Sequence, residues 1–239
     1  TRERVTLPAT YLRFNDAAPA PVSNSGTVGA VADGSVVNGL NDAVGPAGPG
    51  IAAGNTAVTI GARNFVSLNN PAPLDITGQI TLEAWIKPDA TQDGVARIVS
   101  HGPAIPSDFN VAETGITLAG SLLLPNEVSL RIEGGTEYVV GSVDENGFHG
   151  TRASVGSDLG SGQWVHLVGT YDGSTWRLFR NGVQIGSTAD AKGAVSSPDG
   201  DWAIGSTGSG WAENFAGGID EVAIYRRSLS ASQVKAHFD

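Results

Sequence analysis

The run from Trp164 to Gly186, WVHLVGTYDGSTWRLFRNGVQIG, constrains the fold more than any other part of the chain. Two turn signals cut it into three strands: Asp172-Gly173 ends the first, and Asn181-Gly182 separates the second from the third. Asn-Gly is the strongest short-range hairpin signal, because a type I′ turn needs positive φ at both central residues. A two-residue turn there sets Arg180 opposite Val183, Leu178 opposite Ile185 and Trp176 opposite Ser187. Leu178, Val183 and Ile185 then share one face, and Phe179 and Gln184 the other. Apolar bulk on both faces places this hairpin inside a layered β structure, as scaffold.

The rest of the chain supports the same class. Glycine, at 33 of 239 residues, is roughly twice its usual share of about 7%, which suits many tight turns. Ile80 to Lys87 alternates strictly, with Leu82, Ala84 and Ile86 facing one way and Thr81, Glu83 and Trp85 the other. Trp85 and Trp164, lying in such strands, are assigned to the core. Further short strands are expected at Tyr11–Phe14, Ala57–Ile60, Asn64–Leu68, Ala96–Ser100, Ile116–Leu118, Val128–Ile132, Tyr138–Val140, Thr151–Val155, Asp201–Ile204 and Gly218–Tyr225. Ser230-x-x-Gln233 has the form of a capping box and announces one short helix reaching His237. No interior linker is evident. Residues 1–239 therefore read as one all-β domain, an antiparallel two-sheet sandwich or jelly roll with a single C-terminal helix.

Charge and composition narrow the partners. A formal net charge of −10 opposes binding to nucleic acid, whose affinity rests on Lys and Arg contacts to phosphate, and opposes anionic membrane surfaces. There is no cysteine, so disulfides and thiolate metal sites are excluded. No apolar run approaches membrane-spanning length; Leu122–Leu124 is stopped by Pro125. Methionine is absent and no signal peptide is present, so the chain reads as a processed product or a segment of a longer polypeptide.

Five pieces in order resemble the laminin-G-like, concanavalin A-like jelly-roll family of bacterial extracellular proteins. They are TLEAWIKPD (Thr81–Asp89), QWVHLVGTYDG (Gln163–Gly173), WRLFRNG (Trp176–Gly182), AIGS (Ala203–Ser206) and FAGGIDEVAIYRRSLSASQV (Phe215–Val234). The resemblance implies a concave sheet, with function at that sheet or its rim loops, and a secreted or cell-surface setting. It implies a carbohydrate-binding or adhesion module within a larger protein. It also implies a structural calcium clipping the loop after the first strand to the final strand, which by position suggests Asp220 with Asn15 or Asp16. The alternative for these residues is that Asp16 caps a turn and Asp220 pairs with Arg226 or Arg227.

Glycoside hydrolases of the same fold place catalytic carboxylates at alternate positions of one strand. No such run exists here: Glu83 is alone on its strand, and Asp220-Glu221 are adjacent. The four histidines form no metal motif, and His166 reads as a packed histidine satisfied by hydrogen bonds. The chain is therefore expected to be non-catalytic. Sugar binding needs an aromatic face for the pyranose C–H surface and planar polar groups for its hydroxyls. Trp211, in the polar, glycine-rich GSTGSGWAENF, meets that need beside Glu213 and Asn214. Trp176, after the Asp-Gly turn, and Tyr138, Asp144, Asn146, His149 and Arg152 in EYVVGSVDENGFHGTR complete the candidates. Trp176 and Tyr138 have sandwich core as their alternative. The rival function is a protein-interaction or spacer module of a large surface protein; a glycoside hydrolase stands third.

Overall fold

A computed structural model describes residues 7–16, 21–39, 41–47, 51, 53–61, 63–103, 126–208, 210 and 213–239. Trp211 and the strand expected at Ile116–Leu118 lie outside these residues. The described strands are β1 (Thr10–Leu12), β2 (Ser35–Val37), β3 (Asn41–Val44), β4 (Thr56–Ile60), β5 (Phe65–Asn69), β6 (Ile80–Pro88), β7 (Val95–Pro103) and β8 (Glu127–Glu133). They continue as β9 (Glu137–Asp144), β10 (Gly147–Ser154), β11 (Val165–Tyr171), β12 (Thr175–Arg180), β13 (Val183–Ala189), β14 (Gly200–Ile204) and β15 (Gly217–Tyr225), before one α-helix, α1 (Ala231–Phe238).

The strands form two antiparallel sheets. One runs β13-β12-β11-β6-β15-β4-β3, with β1 also paired to β15; the other runs β10-β9-β8-β7-β14-β5-β2. Period two decides which side chains meet between them. Leu82, Ala84 and Ile86 of β6, Val165 and Leu167 of β11, and Val128, Leu130 and Ile132 of β8 are all buried in this shared core. A smaller apolar cluster lies on the outer face of the eight-stranded sheet, where Val168, Phe179, Ala223, Tyr225 and Leu229 pack with Val234 of α1. The helix is held by the expected capping box, Ser230 and Gln233 each satisfying the other's backbone N–H.

The Asn181-Gly182 turn forms, with φ of 50° and 74°, and Arg180 faces Val183. A bulge between Leu178 and Phe179 then shifts the register, so Leu178 pairs with Gly186 and Trp176 with Thr188, not with Ile185 and Ser187. β13 is an edge strand, and Val183 (60% exposed) and Ile185 stand in solvent while Leu178 enters the core. The hairpin therefore closes one side of the sandwich and is not enclosed by it. Trp85 and Trp164 are likewise half-buried on the outer face of their sheet, where Lys87 lies over the Trp164 ring at 5.3 Å. Alternation separates two faces of a strand, but a helix packed on the outer one gives both an apolar character.

Candidate functional site

The outer face of the seven-stranded sheet carries an unbroken polar ladder. It originates in β8, Glu127-Val-Ser-Leu-Arg-Ile-Glu133, where every second residue is apolar and buried and the others turn outward. Register places Arg97, Arg131, Val139 and Arg152 side by side across four strands, with Ser129, Gly141 and Gly150 in the adjoining row. Like charges directly opposite each other on neighbouring strands are unfavourable. Here carboxylates interleave them. Arg97 pairs with Glu127 and, at 2.5 Å, with Glu213; Arg131 reaches Glu133 at 2.7 Å and the Ser129 hydroxyl at 2.7 Å. Arg152 pairs with Glu133 and approaches Glu137 at 3.5 Å.

Electrostatics follow from this spacing. Burial pushes Glu127 up, yet Arg97 and Arg131 outweigh it and hold the carboxyl below its ordinary range. Glu133 is lowered in the same way, with Arg131 and Arg152 overcoming burial. Burial opposes the charge on Arg97, and Glu127 and Glu213 more than restore it. Phe148 lies on this face, its ring centroid 4.7 Å from the Arg152 guanidinium carbon and 5.3 Å from that of Arg131. Beneath the ring are the cross-strand partners Gly141 and Gly150, where an added Cβ would stand 2.7 and 2.5 Å from ring carbons. At the far end, Asn214 bridges to Arg97; it is 9% exposed and its Nδ2 has no hydrogen-bond partner.

The candidates named from sequence divide accordingly. Arg152, Glu213 and Asn214 belong to the ladder. Tyr138 and Trp176 are fully buried core residues, the phenol donating to Asp158 at 2.8 Å and the indole to the Lys192 carbonyl at 2.9 Å, so neither presents a ring to a ligand. His149 sits apart between Asp190 (3.2 Å) and Asp144 (3.3 Å), and Asp144 also receives the Asn146 backbone N–H, closing the β9–β10 turn. Arg97, Glu127, Arg131 and Phe148 were missed. The period-two polar pattern of Glu127, Ser129, Arg131 and Glu133 carried the signal for Glu127 and Arg131; Arg97 and Phe148, on β7 and β10, join them only through strand pairing. His166 is packed against Glu83 at 2.7 Å as expected, although its Nδ1 is left without a partner.

The residues named for calcium do not converge. Asp16 accepts from the backbone and hydroxyl of Ser23, capping a turn, while Asp220 is buried and accepts from Asn55 at 2.5 Å, not from Arg226 or Arg227. Among the described residues, Asn15 connects to Asp220 through Asn55. Burial pushes the Asp220 carboxyl up to about 7, and the other carboxylate of the group, Asp16, is engaged by Ser23. Calcium takes about six to eight oxygens, and among the described residues no three histidine or acidic side chains gather at one point to supply them. Thermal melting with chelator and then with added calcium decides the matter: a clear upward shift with calcium would establish the metal, and an unchanged midpoint would count against it.

Comparison with known proteins adds the following. Residues 60–235 match the family model described as the concanavalin A-like lectin/glucanases superfamily. Pappalysin-1 of Mus musculus is 36% identical over 75 residues, a match spanning 30% of this chain and 5% of that protein. Domain 4 of an extracellular arabinanase from Geobacillus stearothermophilus, solved with arabinotriose, superposes with a TM-score of 0.66 at 19% identity, covering 98% of each chain. The CBM40 of the Ruminococcus gnavus IT-sialidase, bound to α2,3 sialyllactose, gives 0.54 at 15% identity over 71% of this chain and 87% of that one. The two structures share the sandwich fold, and the family match over most of the length places this chain in the concanavalin A-like lectin/glucanases superfamily.

Proposed function

We propose that the chain is a non-catalytic carbohydrate-binding module of an extracellular protein, holding a poly- or oligosaccharide on the outer face of the seven-stranded sheet. The observation that carries this is the ladder from Glu213 to Arg152, with the unpartnered Asn214 amide at its end. A sugar hydroxyl both donates and accepts, and the ladder alternates guanidinium forks with carboxylates across one face. Mutual ion pairing holds these groups in place before a ligand arrives, which lowers the cost of ordering them. Phe148 supplies an aromatic surface for C–H groups. Trp211, two residues before Glu213, belongs to the same proposal. The carboxylates Glu127 and Glu133 are held ionised by arginine, which opposes the protonated acid that glycoside cleavage needs. The named ligands of the arabinanase domain and of the sialidase module support the class without choosing the sugar.

A glycan array followed by calorimetry on wild type, Arg152→Ala, Phe148→Ala and Trp211→Ala tests this. Each variant is expected to bind at least about tenfold more weakly with an unchanged melting temperature. If the intact domain binds no glycan, the protein-interaction or spacer role takes its place.

A further inference from the structure

The outer face of the other sheet holds a cavity of about 560 Å³, between β1, β6, β15 and α1. Its chemistry differs from that of the ladder. β6 contributes Glu83 and Trp85, β15 contributes Glu221 and Tyr225, and Tyr11 and His237 close it from β1 and the helix. Leu7, Ile51, Ala223 and Ala236 complete an apolar wall.

The hydrogen-bonding inventory is one-sided. Tyr11 gives its hydroxyl proton to Glu221, and Tyr225 hydrogen-bonds Glu83. His237 directs Nδ1 at both oxygens of Glu83, 3.1 Å from each, and His166 approaches from below at 2.7 Å. The lining thus holds spare lone pairs on two carboxylates, with the exposed Ser25 hydroxyl as a free donor at its edge. A saccharide, which needs donors as well as acceptors, matches such a wall poorly; an ammonium, which only donates, matches it well. Charge agrees. Glu221 has Arg13 at 3.2 Å and Asp239 has Lys235, whereas Glu83, among the described residues, is paired with imidazoles and no lysine or arginine; its hydrogen bond raises the His237 pKa, so this partner is a titratable cation and not a permanent one. Trp85 is half-buried, stacked on Phe238 at 5.8 Å and tilted against His166 at 5.1 Å. Trp85, Tyr11 and Tyr225 line the cavity, and Tyr11 already carries the Arg13 guanidinium over its ring at 6.0 Å, the kind of contact a cation makes here.

We propose that this cavity binds a primary ammonium carried on an apolar stem, the cation directed toward Glu83 and the stem along Ala223 and Ala236. A free alkylamine and a lysine side chain of a peptide present the same chemistry. The site lies on the opposite sheet from the ladder and stands or falls independently of glycan binding.

Chemical-shift titration of the Trp85 indole and His237 with n-butylammonium, Nα-acetyl-lysine methylamide, 1-pentanol and valerate tests the assignment. Butylammonium should saturate both signals at least about tenfold more tightly than pentanol, with valerate inert. Matching shifts with the lysine amide identify a peptide source, and their absence a free amine. Glu83→Gln should weaken the ammonium about tenfold. Because Glu83 is buried and its loss can disturb folding, Ala236→Phe, at an exposed helix position, is the second variant. It should fill the cavity and abolish binding without lowering the melting temperature. Pentanol binding as tightly as the amine, no saturation by butylammonium, or undiminished binding in folded Ala236→Phe would overturn the proposal.

Discussion

Replacing Arg97 with methionine should destabilise the domain by about 3–5 kcal/mol, because it strands carboxylates that have been taken out of water. The Arg97 side chain is only 10% exposed and joins Glu127, itself 14% exposed, to Glu213. Methionine retains most of the stem's volume, so packing changes little and the loss reports the charge. Among the described residues, Glu127 would keep the Ser129 hydroxyl and Arg131 at 3.8 Å. The double variant Arg97→Met/Glu127→Gln should recover a large part of the loss, since the stranded charge is then gone. Urea denaturation of wild type, Arg97→Met, Glu127→Gln and the double variant measures both terms. A loss under about 1 kcal/mol for the single variant, the size typical of an exposed pair, would mean that solvent already screens the ladder.

The second large effect is on acid stability. His101 is fully buried, stacked on Trp202 with centroids 4.6 Å apart, with Nε2 3.0 Å from the Gly200 carbonyl. Burial lowers its pKa from 6.5 to about 4. The unfolded chain thus takes up a proton on this ring well before the native state does. The stability conferred by neutral His101 is complete above 6.5 and is lost as pH falls toward 4. A displacement of that size corresponds to on the order of 3 kcal/mol. In His101→Phe the ring keeps its stack and loses the titration, so its deficit relative to wild type should shrink by about that amount between pH 7 and pH 4. Asp220, raised to about 7, contributes with the opposite sign, and taking the difference between the two proteins cancels it. Parallel stability curves would refute the assignment.

Sequence reasoning reached the architecture because backbone constraints act locally. The Asn181-Gly182 turn, the Ser230–Gln233 cap and the alternation of Ile80–Lys87 each need only their neighbours to be read. It failed where a distant element decides. The bulge at Leu178/Phe179 moves the far half of the hairpin by one residue, and no turn signal marks it. Trp85 and Trp164 sit on the outer face, where α1 and Lys87 supply surroundings that period two cannot foresee. The candidate face was half legible. Arg152, Glu213 and Asn214 stood out as polar groups in irregular sequence, but the partners of Arg97 come from β8 and from the stretch before β15. Only strand pairing brings those together. Tyr138 and Trp176 were drawn to the surface by chemistry that suits sugars, and burial places them inside.

Gly141 and Gly150, facing each other beneath Phe148, give the ladder its depth by having nothing to contribute to it. Any side chain at either would meet the ring and the facing backbone, lifting the aromatic surface away from the guanidinium groups on either side. The height of that platform is therefore encoded in two residues that present no side chain to a ligand. A mutational survey restricted to solvent-facing side chains would pass over both, while a single methyl group at either would redraw the face.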